Sequence, residues 1–138
     1  MKNAQLLNQV TPNLRLLFQE VDKEVQVEIL SSTIRTLEQQ KAYFAAGTSK
    51  TMDSKHLIIE GVRDFSEAVD AGPYPFAWPV KGTQDYEKNW WRLYFFAGVV
   101  VTKARQLGIK IRFGGDWDSD FDLKDQNFFD AVHFEEVK

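Results

Sequence analysis

The chain of 138 residues contains no cysteine. This absence excludes disulfide bonds and thiolate chemistry, although it leaves the cellular compartment open. A transition-metal site would therefore have to use imidazole and carboxylate groups. Histidine is nearly as scarce, because it occurs only at His56 and His133. These two residues are the first candidates for metal ligands.

Long hydrophobic runs are also missing. The most apolar stretch, Trp90 to Val101, is interrupted by Arg92 and is shorter than the roughly 20 residues that a membrane helix needs. Residues 1–5 show neither an apolar core nor a cleavage site, so we expect no signal peptide and no membrane anchor. The product should fold in the cytoplasm, and another factor must release it if it acts outside.

Basic clusters are absent as well. The net charge is −3, the pI is about 5.4 and no run of Lys or Arg accumulates, so no nucleic-acid partner is expected. Phosphate-loop and dinucleotide fingerprints are missing, since Gly114-Gly115 is a lone pair. A hydrophobic content of 43% and an aromatic content of 14% argue against disorder. The length suits a single domain over residues 1–138 and, most simply, a monomer.

The hydrophobic periodicity predicts helices followed by scattered short strands. This pattern favours an α+β fold, with helices packed on a small antiparallel sheet. Helices are predicted from Thr11-Pro12, over Thr36–Ala46 and from about Thr83 to Leu107; strands at Val25–Leu30, Glu67–Asp70, Ile109–Phe113 and Val132–Val137.

The last predicted strand carries a candidate metal ligand. Alternation places His133 and Glu135 on one face and the apolar Val132 on the other. Asp130 lies three residues before His133, where its carboxylate could reach a water held by the same metal. The alternative is a solvated histidine on an edge strand.

The segment from Ser54 to Pro75 holds the other candidate ligands, His56, Asp64 and Asp70. Two histidines and one aspartate around an ion with an open position would form a catalytic zinc site, because the open position takes a water. The alternative for Asp70 is a residue that initiates the turn before Gly72-Pro73.

Arg35 lies between a predicted strand end and a predicted helix N-terminus. A guanidinium there could bind a substrate carboxylate or stabilise a developing oxyanion. The alternative is a surface ion pair.

Six motifs follow one another along the chain in a recognisable order: Ile34–Gln40, Gly47–Thr51, Ser54–His56, Ala68–Tyr74, Leu107–Trp117 and Asp130–Glu135. This ordered set resembles the LAS-type zinc peptidases that cut bacterial peptidoglycan. That group contains VanY-like D,D-carboxypeptidases and phage L-alanyl-D-glutamate endopeptidases. The small size of the chain, a single compact domain, most resembles the phage endolysin branch.

The resemblance implies a LAS-type fold and a role for each matching residue. It implies zinc ligands at His56, Asp70 and His133, with Asp130 as the general base. It also implies that Arg35 polarises the substrate, which is the stem peptide of peptidoglycan, and we expect Ser54 and Arg35 to contact that substrate.

The spacing of the second ligand departs from the family pattern. The family aspartate follows the histidine by seven residues, but position 63 is Arg and Asp64 lies one residue too far. Asp70 keeps the Ala-x-Asp-x-x-Pro-Tyr context at the cost of a seven-residue insertion. Extra loop length costs little free energy, so Asp70 is favoured, and Asp64 remains the alternative.

An acidic stretch near the C-terminus resembles the front of a calcium loop, with Asp116, Asp118, Asp120 and Asp122 at alternate positions. It lacks the glycine and glutamate that complete such a loop. A solvated acidic loop is the alternative.

Three functions remain open. The first is a zinc endopeptidase that lyses bacteria by cutting between L-Ala and D-Glu. The second is a D,D-carboxypeptidase with the same chemistry, used in wall remodelling. The third is a wall-binding module whose metal site has decayed.

Overall fold

The structure is a computed structural model that describes residues 1–49, 52, 54–122, 124 and 130–138. Its elements in chain order are a 3₁₀ helix (Ala4–Gln9), α1 (Pro12–Asp22), β1 (Val27–Ile29), a 3₁₀ helix (Ser31–Thr33), α2 (Leu37–Ala45), β2 (Ala68–Pro73), α3 (Tyr86–Leu107), β3 (Ile111–Phe113) and β4 (His133–Glu136). The strands form one antiparallel sheet in the order β1-β2-β4-β3. The predicted α+β architecture is therefore present.

Local sequence signals place the helix ends. The Thr36 hydroxyl accepts a hydrogen bond from the Gln39 N–H, and the Gln39 side chain accepts one from the Thr36 N–H. This reciprocal capping box starts α2 as predicted. Gly47 follows α2 with a φ of 74°, and Gly108 ends α3 with a φ of 71°. Both adopt the left-handed conformation that glycine tolerates best.

The central strand is longer than predicted. We expected a strand to end before Gly72, but β2 continues to Pro73 because it pairs with β1 beyond the point where its pairing with β4 stops. A Cβ at Gly72 would lie 2.5 Å from the ring of Phe76, so glycine allows this ring to lie directly on the strand. The other three strands are shorter than predicted, and α3 begins at Tyr86 instead of Thr83. Neither 3₁₀ helix was predicted.

One face of the sheet packs against α1 and α3 and forms the core. The ring of Phe134 on β4 lies at its centre, with ring centroids 5.7 Å from Phe18, 6.0 Å from Phe96 and 5.1 Å from Phe113. Val69 on β2 is fully buried in the same cluster. Burial of each such side chain contributes about 1.5–3 kcal/mol, which holds the strands in register.

The opposite face of the sheet carries polar residues. Strand alternation turns Asp70, His133 and Glu135 to this side, while their neighbours enter the core. The segments 31–35 and 54–58 run across this face and are tied together by hydrogen bonds between Arg35 and residues 56 and 58. Among the described helices, none combines the length and apolarity that a membrane span requires.

Candidate metal centre and active site

Three side chains from distant parts of the chain meet on the polar face of the sheet. Nε2 of His56 lies 3.0 Å from Nδ1 of His133 and 3.1 Å from Oδ1 of Asp70. Nδ1 of His133 lies 3.3 Å from the same carboxylate oxygen. All three residues are buried. Their three donor atoms therefore form a nearly equilateral triangle.

The triangle matches the dimensions of a tetrahedral zinc site. Zinc bonds to nitrogen and oxygen of about 2.0–2.1 Å place adjacent ligand atoms roughly 3.3–3.4 Å apart. Oδ1 of Asp70 is buried and has no hydrogen-bond partner among the described residues. An unpartnered carboxylate oxygen is costly in a protein interior unless a cation compensates it. The three residues therefore fit a metal ion that keeps a fourth position open.

Hydrogen bonds from the covering segments fix the orientation of His56. Its Nδ1 lies 3.0 Å from the carbonyl oxygen of Thr33. Because a carbonyl only accepts, Nδ1 carries the hydrogen and Nε2 directs its lone pair into the triangle. The N–H of His56 also donates to the Ser54 hydroxyl at 3.2 Å, and its carbonyl accepts from the N–H of Arg35 at 3.2 Å. The ring is thus held through Nδ1, and the backbone of the residue is held through its N–H and its carbonyl.

The 3₁₀ helix Ser31–Thr33 holds Asp70. The hydroxyl of Ser32 donates to Oδ2 at 2.6 Å, which leaves Oδ1 for the triangle. The hydroxyl of Thr33 accepts from the backbone N–H of Asp70 at 3.0 Å and lies 3.1 Å from its carbonyl oxygen. Thr33 therefore supports both Asp70 and His56.

A carboxylate and a guanidinium lie behind His133. Nε2 of His133 donates to Oε1 of Glu135 at 3.0 Å, so Nδ1 is the nitrogen that faces the triangle. Nη2 of Arg112 donates to Oε2 of Glu135 at 2.9 Å. The ring of Trp117 packs against His133, with centroids 5.3 Å apart.

Burial and charge have opposite effects on the ionisable groups. Burial raises the pKa of Asp70, but the adjacent imidazoles outweigh it and hold that pKa well below its usual range. Burial lowers the pKa of His133, yet contacts with Asp70 and Glu135 raise it to about 9. Asp70 is therefore ionised at neutral pH, as a metal ligand must be.

Asp130 lies beside the triangle. Its N–H donates to the carbonyl of Gly114 at 2.7 Å, and the N–H of Gly114 donates to the carbonyl of His133 at 2.8 Å. A side chain at Gly114 would collide with the carbonyl oxygen of Asp130, so glycine is needed for this close approach. Burial, followed by the charge of Asp70, raises the pKa of Asp130. A carboxylate with a raised pKa is suited to exchange protons near neutral pH.

Arg35 borders the site on the side of Asp70. Its Nη2 lies 3.8 Å from Oδ2 of Asp70, and its Nη1 donates to Oε1 of Gln40 at 3.3 Å. The guanidinium stacks 4.9 Å from the ring centroid of Tyr43. Its Nε is buried without a hydrogen-bond partner in the described part of the chain. The side chain is only 18% exposed, so the alternative of a surface ion pair does not describe it.

A comparison with protein families identifies the chain's relatives. The family model described as phage L-alanyl-D-glutamate peptidase matches residues 1–137 of this chain. The chain belongs to this family. The predictions of a phage endolysin family and of a peptidase that degrades peptidoglycan are thereby confirmed. No curated protein matches the chain.

The fold of this peptidase is similar to that of a solved structure, the crystal structure of the L-Ala D-Glu endopeptidase ChiX from Serratia marcescens. The TM-score is 0.66 at 24% sequence identity, and the match covers 96% of this chain and 84% of that chain. The predicted fold class is confirmed by this likeness.

The structure brings Asp70, and not Asp64, to the two histidines of the peptidase. Asp64 is exposed and accepts a hydrogen bond from the N–H of Gly61 at 3.2 Å. The inserted residues form a separate turn, in which Ile59 and Arg63 exchange backbone hydrogen bonds. Asp70 lies within a paired strand and His133 is buried, so neither the turn residue nor the solvated histidine describes them. Their roles as ligands stay predictions.

Ser54 lies beneath the site and not on its surface. The residue is 6% exposed, and its hydroxyl accepts from the N–H of His56. Its carbonyl accepts from Nη1 of Arg63 at 2.8 Å. Both contacts hold the turn that carries His56. The expected substrate contact of Ser54 stays a prediction.

The acidic loop brings part of the predicted calcium set together. Carboxylate oxygens of Asp116, Asp118 and Asp120 lie within 4.8 Å of one another, and Asp122 is not in this group. The Asp116 carboxylate already accepts the N–H groups of Asp120 and Phe121, at 3.2 and 3.0 Å. These bonds explain the turn without a cation. Calcium binding stays a prediction, and the predicted loop at residues 123 and 125–129 lies outside the described residues.

Several residues that orient the proposed ligands were not assigned to the site from the sequence. Thr33 and Ser32 act through hydrogen bonds across 37 and 38 residues, and no local pattern signals such contacts. Arg112 is an arginine on a strand, and basic residues are common at such positions, so nothing in the sequence marked it as part of the site. Glu135 did carry a signal, since it lies two residues after His133 on the same strand face.

Proposed function

We propose that this peptidase is a zinc enzyme, with His56, Asp70 and His133 as its ligands. The buried and unpartnered Oδ1 of Asp70, 3.1 and 3.3 Å from two imidazole nitrogens, is the observation that carries this proposal. A zinc ion held there would supply a Lewis acid for the scissile carbonyl and would lower the pKa of a water to about 7.

Asp130 acts as the general base in this proposal. Its position beside His133 and its raised pKa support the role, because a base must be ionised yet able to hold a proton. Asp130 accepts the proton of the attacking water and then donates it to the nitrogen of the leaving amine. The C–N bond breaks as that nitrogen becomes an amine.

Arg35 binds the substrate carbonyl and stabilises its developing negative charge. The contacts with Gln40 and Tyr43 hold the guanidinium in one orientation before substrate arrives. A preorganised donor is worth most where water is excluded, and Arg35 is largely buried. The planar fork of the guanidinium suits an oxyanion or a neighbouring carboxylate.

The substrate bond we propose is that between L-Ala and D-Glu of the stem peptide. The family description favours this bond over the D-Ala–D-Ala bond of a D,D-carboxypeptidase. The closed triangle of ligands argues against a wall-binding module with a decayed metal site. We further propose that the enzyme accumulates as a monomer in the host cytoplasm before its release to the wall.

The test is hydrolysis of purified peptidoglycan by metal-free and zinc-reconstituted protein. We expect activity only with metal, about one zinc per chain, and products with D-Glu at a new N-terminus, as identified by mass spectrometry. His56→Ala and His133→Ala should each lose the zinc, because two remaining protein ligands are too few. Full zinc occupancy in both variants would exclude this centre, and release of D-Ala alone would identify a D,D-carboxypeptidase.

A further inference from the structure

Both carboxylate oxygens of Glu135 are engaged on the side of His133 that faces away from the ligand triangle. Oε1 accepts from Nε2 of His133 at 3.0 Å, and Oε2 accepts from Nη2 of Arg112 at 2.9 Å. The Glu135 side chain is only 7% exposed, whereas Arg112 is 44% exposed. A buried glutamate thus joins an imidazole of the candidate centre to a guanidinium at the protein surface.

We propose that Glu135, supported by Arg112, is a positioning residue that holds His133 as a metal ligand through Nδ1. This inference rests on the proposed zinc centre and concerns a residue that would not touch the metal or the substrate. Donation of the Nε2 hydrogen to a carboxylate leaves Nδ1 as the coordinating nitrogen and makes it more basic.

The register of the sheet supports this role. Arg112 and Glu135 are direct partners across β3 and β4, and Asp70 and His133 are direct partners across β2 and β4. The pairing fixes all four residues on one face of the sheet. The ring of Trp117 packs against His133, and the Arg112 guanidinium lies 5.8 Å from the centroid of the Trp117 ring, so Trp117 contacts both ends of the His133–Glu135–Arg112 chain.

The same contacts argue against Glu135 as the general base. Oε1 is occupied by Nε2 of His133 and Oε2 by Nη2 of Arg112, so both carboxylate oxygens are already engaged on the far side of the imidazole. A general base must instead reach the water from which it takes a proton. The His133 ring also separates Glu135 from the open side of the triangle.

The experiment compares Glu135→Leu, Glu135→Gln and Arg112→Met with the unmodified enzyme. The two readouts are zinc affinity, measured by competition with a chelator, and the visible spectrum of the cobalt-substituted protein. Glu28→Gln is the matched control. Like Glu135, Glu28 is a strand carboxylate of low exposure that accepts a hydrogen bond, in this case from the backbone N–H of Phe76 at 3.1 Å. Unlike Glu135, it lies on β1, and none of its described contacts is with a proposed ligand.

We expect Glu135→Leu to weaken zinc binding by about 10–100-fold and to shift the cobalt bands, because His133 loses its orientation. Glu135→Gln keeps an acceptor oxygen, so it should retain more affinity than Glu135→Leu. Arg112→Met should fall between Glu135→Gln and the unmodified enzyme. A substitution that only loosened the fold would lower thermal stability without moving the cobalt spectrum.

Other outcomes would overturn the inference. If folded Glu135→Leu shows the affinity and cobalt spectrum of the unmodified enzyme, Glu135 does not position His133, while the zinc centre stands. If Glu135→Leu does not fold, the other two variants decide. An unchanged zinc affinity and an unchanged cobalt spectrum in both Glu135→Gln and Arg112→Met would then show that Glu135 does not position His133. If the unmodified enzyme binds no zinc, or if its zinc remains bound in His133→Ala, the proposed function fails and the inference fails with it.

Discussion

Asp70 and His133 lie directly opposite each other across β2 and β4, with Oδ1 of Asp70 3.3 Å from Nδ1 of His133. Directly opposed residues of an antiparallel pair project from the same face of the sheet. The sheet itself therefore presents two of the three proposed ligands. His56 comes from a loop, and Thr33 ties that loop to Asp70.

The first prediction separates the two candidate aspartates. Asp70→Ala should abolish activity and weaken zinc binding, because it removes the only carboxylate of the triangle. Asp64→Ala is the control, since Asp64 is exposed and bonds only within its own turn in the described residues. Zinc content and hydrolysis rate measure both effects. Loss of zinc in Asp64→Ala with normal zinc in Asp70→Ala would reverse the assignment.

The second prediction concerns Asp130. Asp130→Asn keeps the shape of the side chain and removes its basic oxygen, so zinc and substrate should still bind while turnover falls by about 10²–10⁴. Single-turnover kinetics and zinc analysis on the same preparation measure the two properties. Hydrolysis at the normal rate would mean that the base lies elsewhere. Loss of zinc would make Asp130 a ligand and would contradict the three-ligand arrangement.

The third prediction concerns the guanidinium of Arg35. Arg35→Lys keeps the charge but loses the planar fork and its contacts with Gln40 and Tyr43. We expect kcat/KM to fall by about 10²-fold, on the scale of losing one donor to an oxyanion. Arg92→Lys is the control, because Arg92 lies on α3 and donates to the carbonyls of Pro73 and Pro75. Equal rates for the two variants would remove Arg35 from the reaction.

The fourth prediction compares two glycines. Gly114→Ala places a methyl group against the carbonyl of Asp130 and within 3.0 Å of the Cβ atoms of Asp130 and His133. It should cost about 1–3 kcal/mol of unfolding free energy and reduce activity, since both neighbours must move. Gly98 occupies an exposed position of α3, where an added methyl group would meet no atom within 4 Å. Gly98→Ala should therefore raise the unfolding free energy by about 0.5–1 kcal/mol, because alanine is more favourable than glycine inside a helix. Chemical denaturation measures both; an unaffected Gly114→Ala variant would contradict this packing.

The sequence by itself determined the start of α2, the end of α3, the strand faces and the family. Capping residues such as Thr36 and Gly108 act on their own helix, and the alternation around His133 depends only on neighbouring positions. These are local effects, so a single sequence is enough to predict them. The resemblance added the ordered motifs and the proposed roles of His56, Asp130 and Arg35.

Only the tertiary structure decided which carboxylate meets the histidines and what orients them. His56 and Asp70 are separated by an insertion whose path the sequence does not specify, because loop length changes the free energy little. The register of β2 against β4 fixes Asp70 opposite His133, and contacts across many residues bring in Ser32, Thr33 and the Arg112–Glu135 pair. Such contacts depend on the packing of the whole core, and no local pattern encodes them.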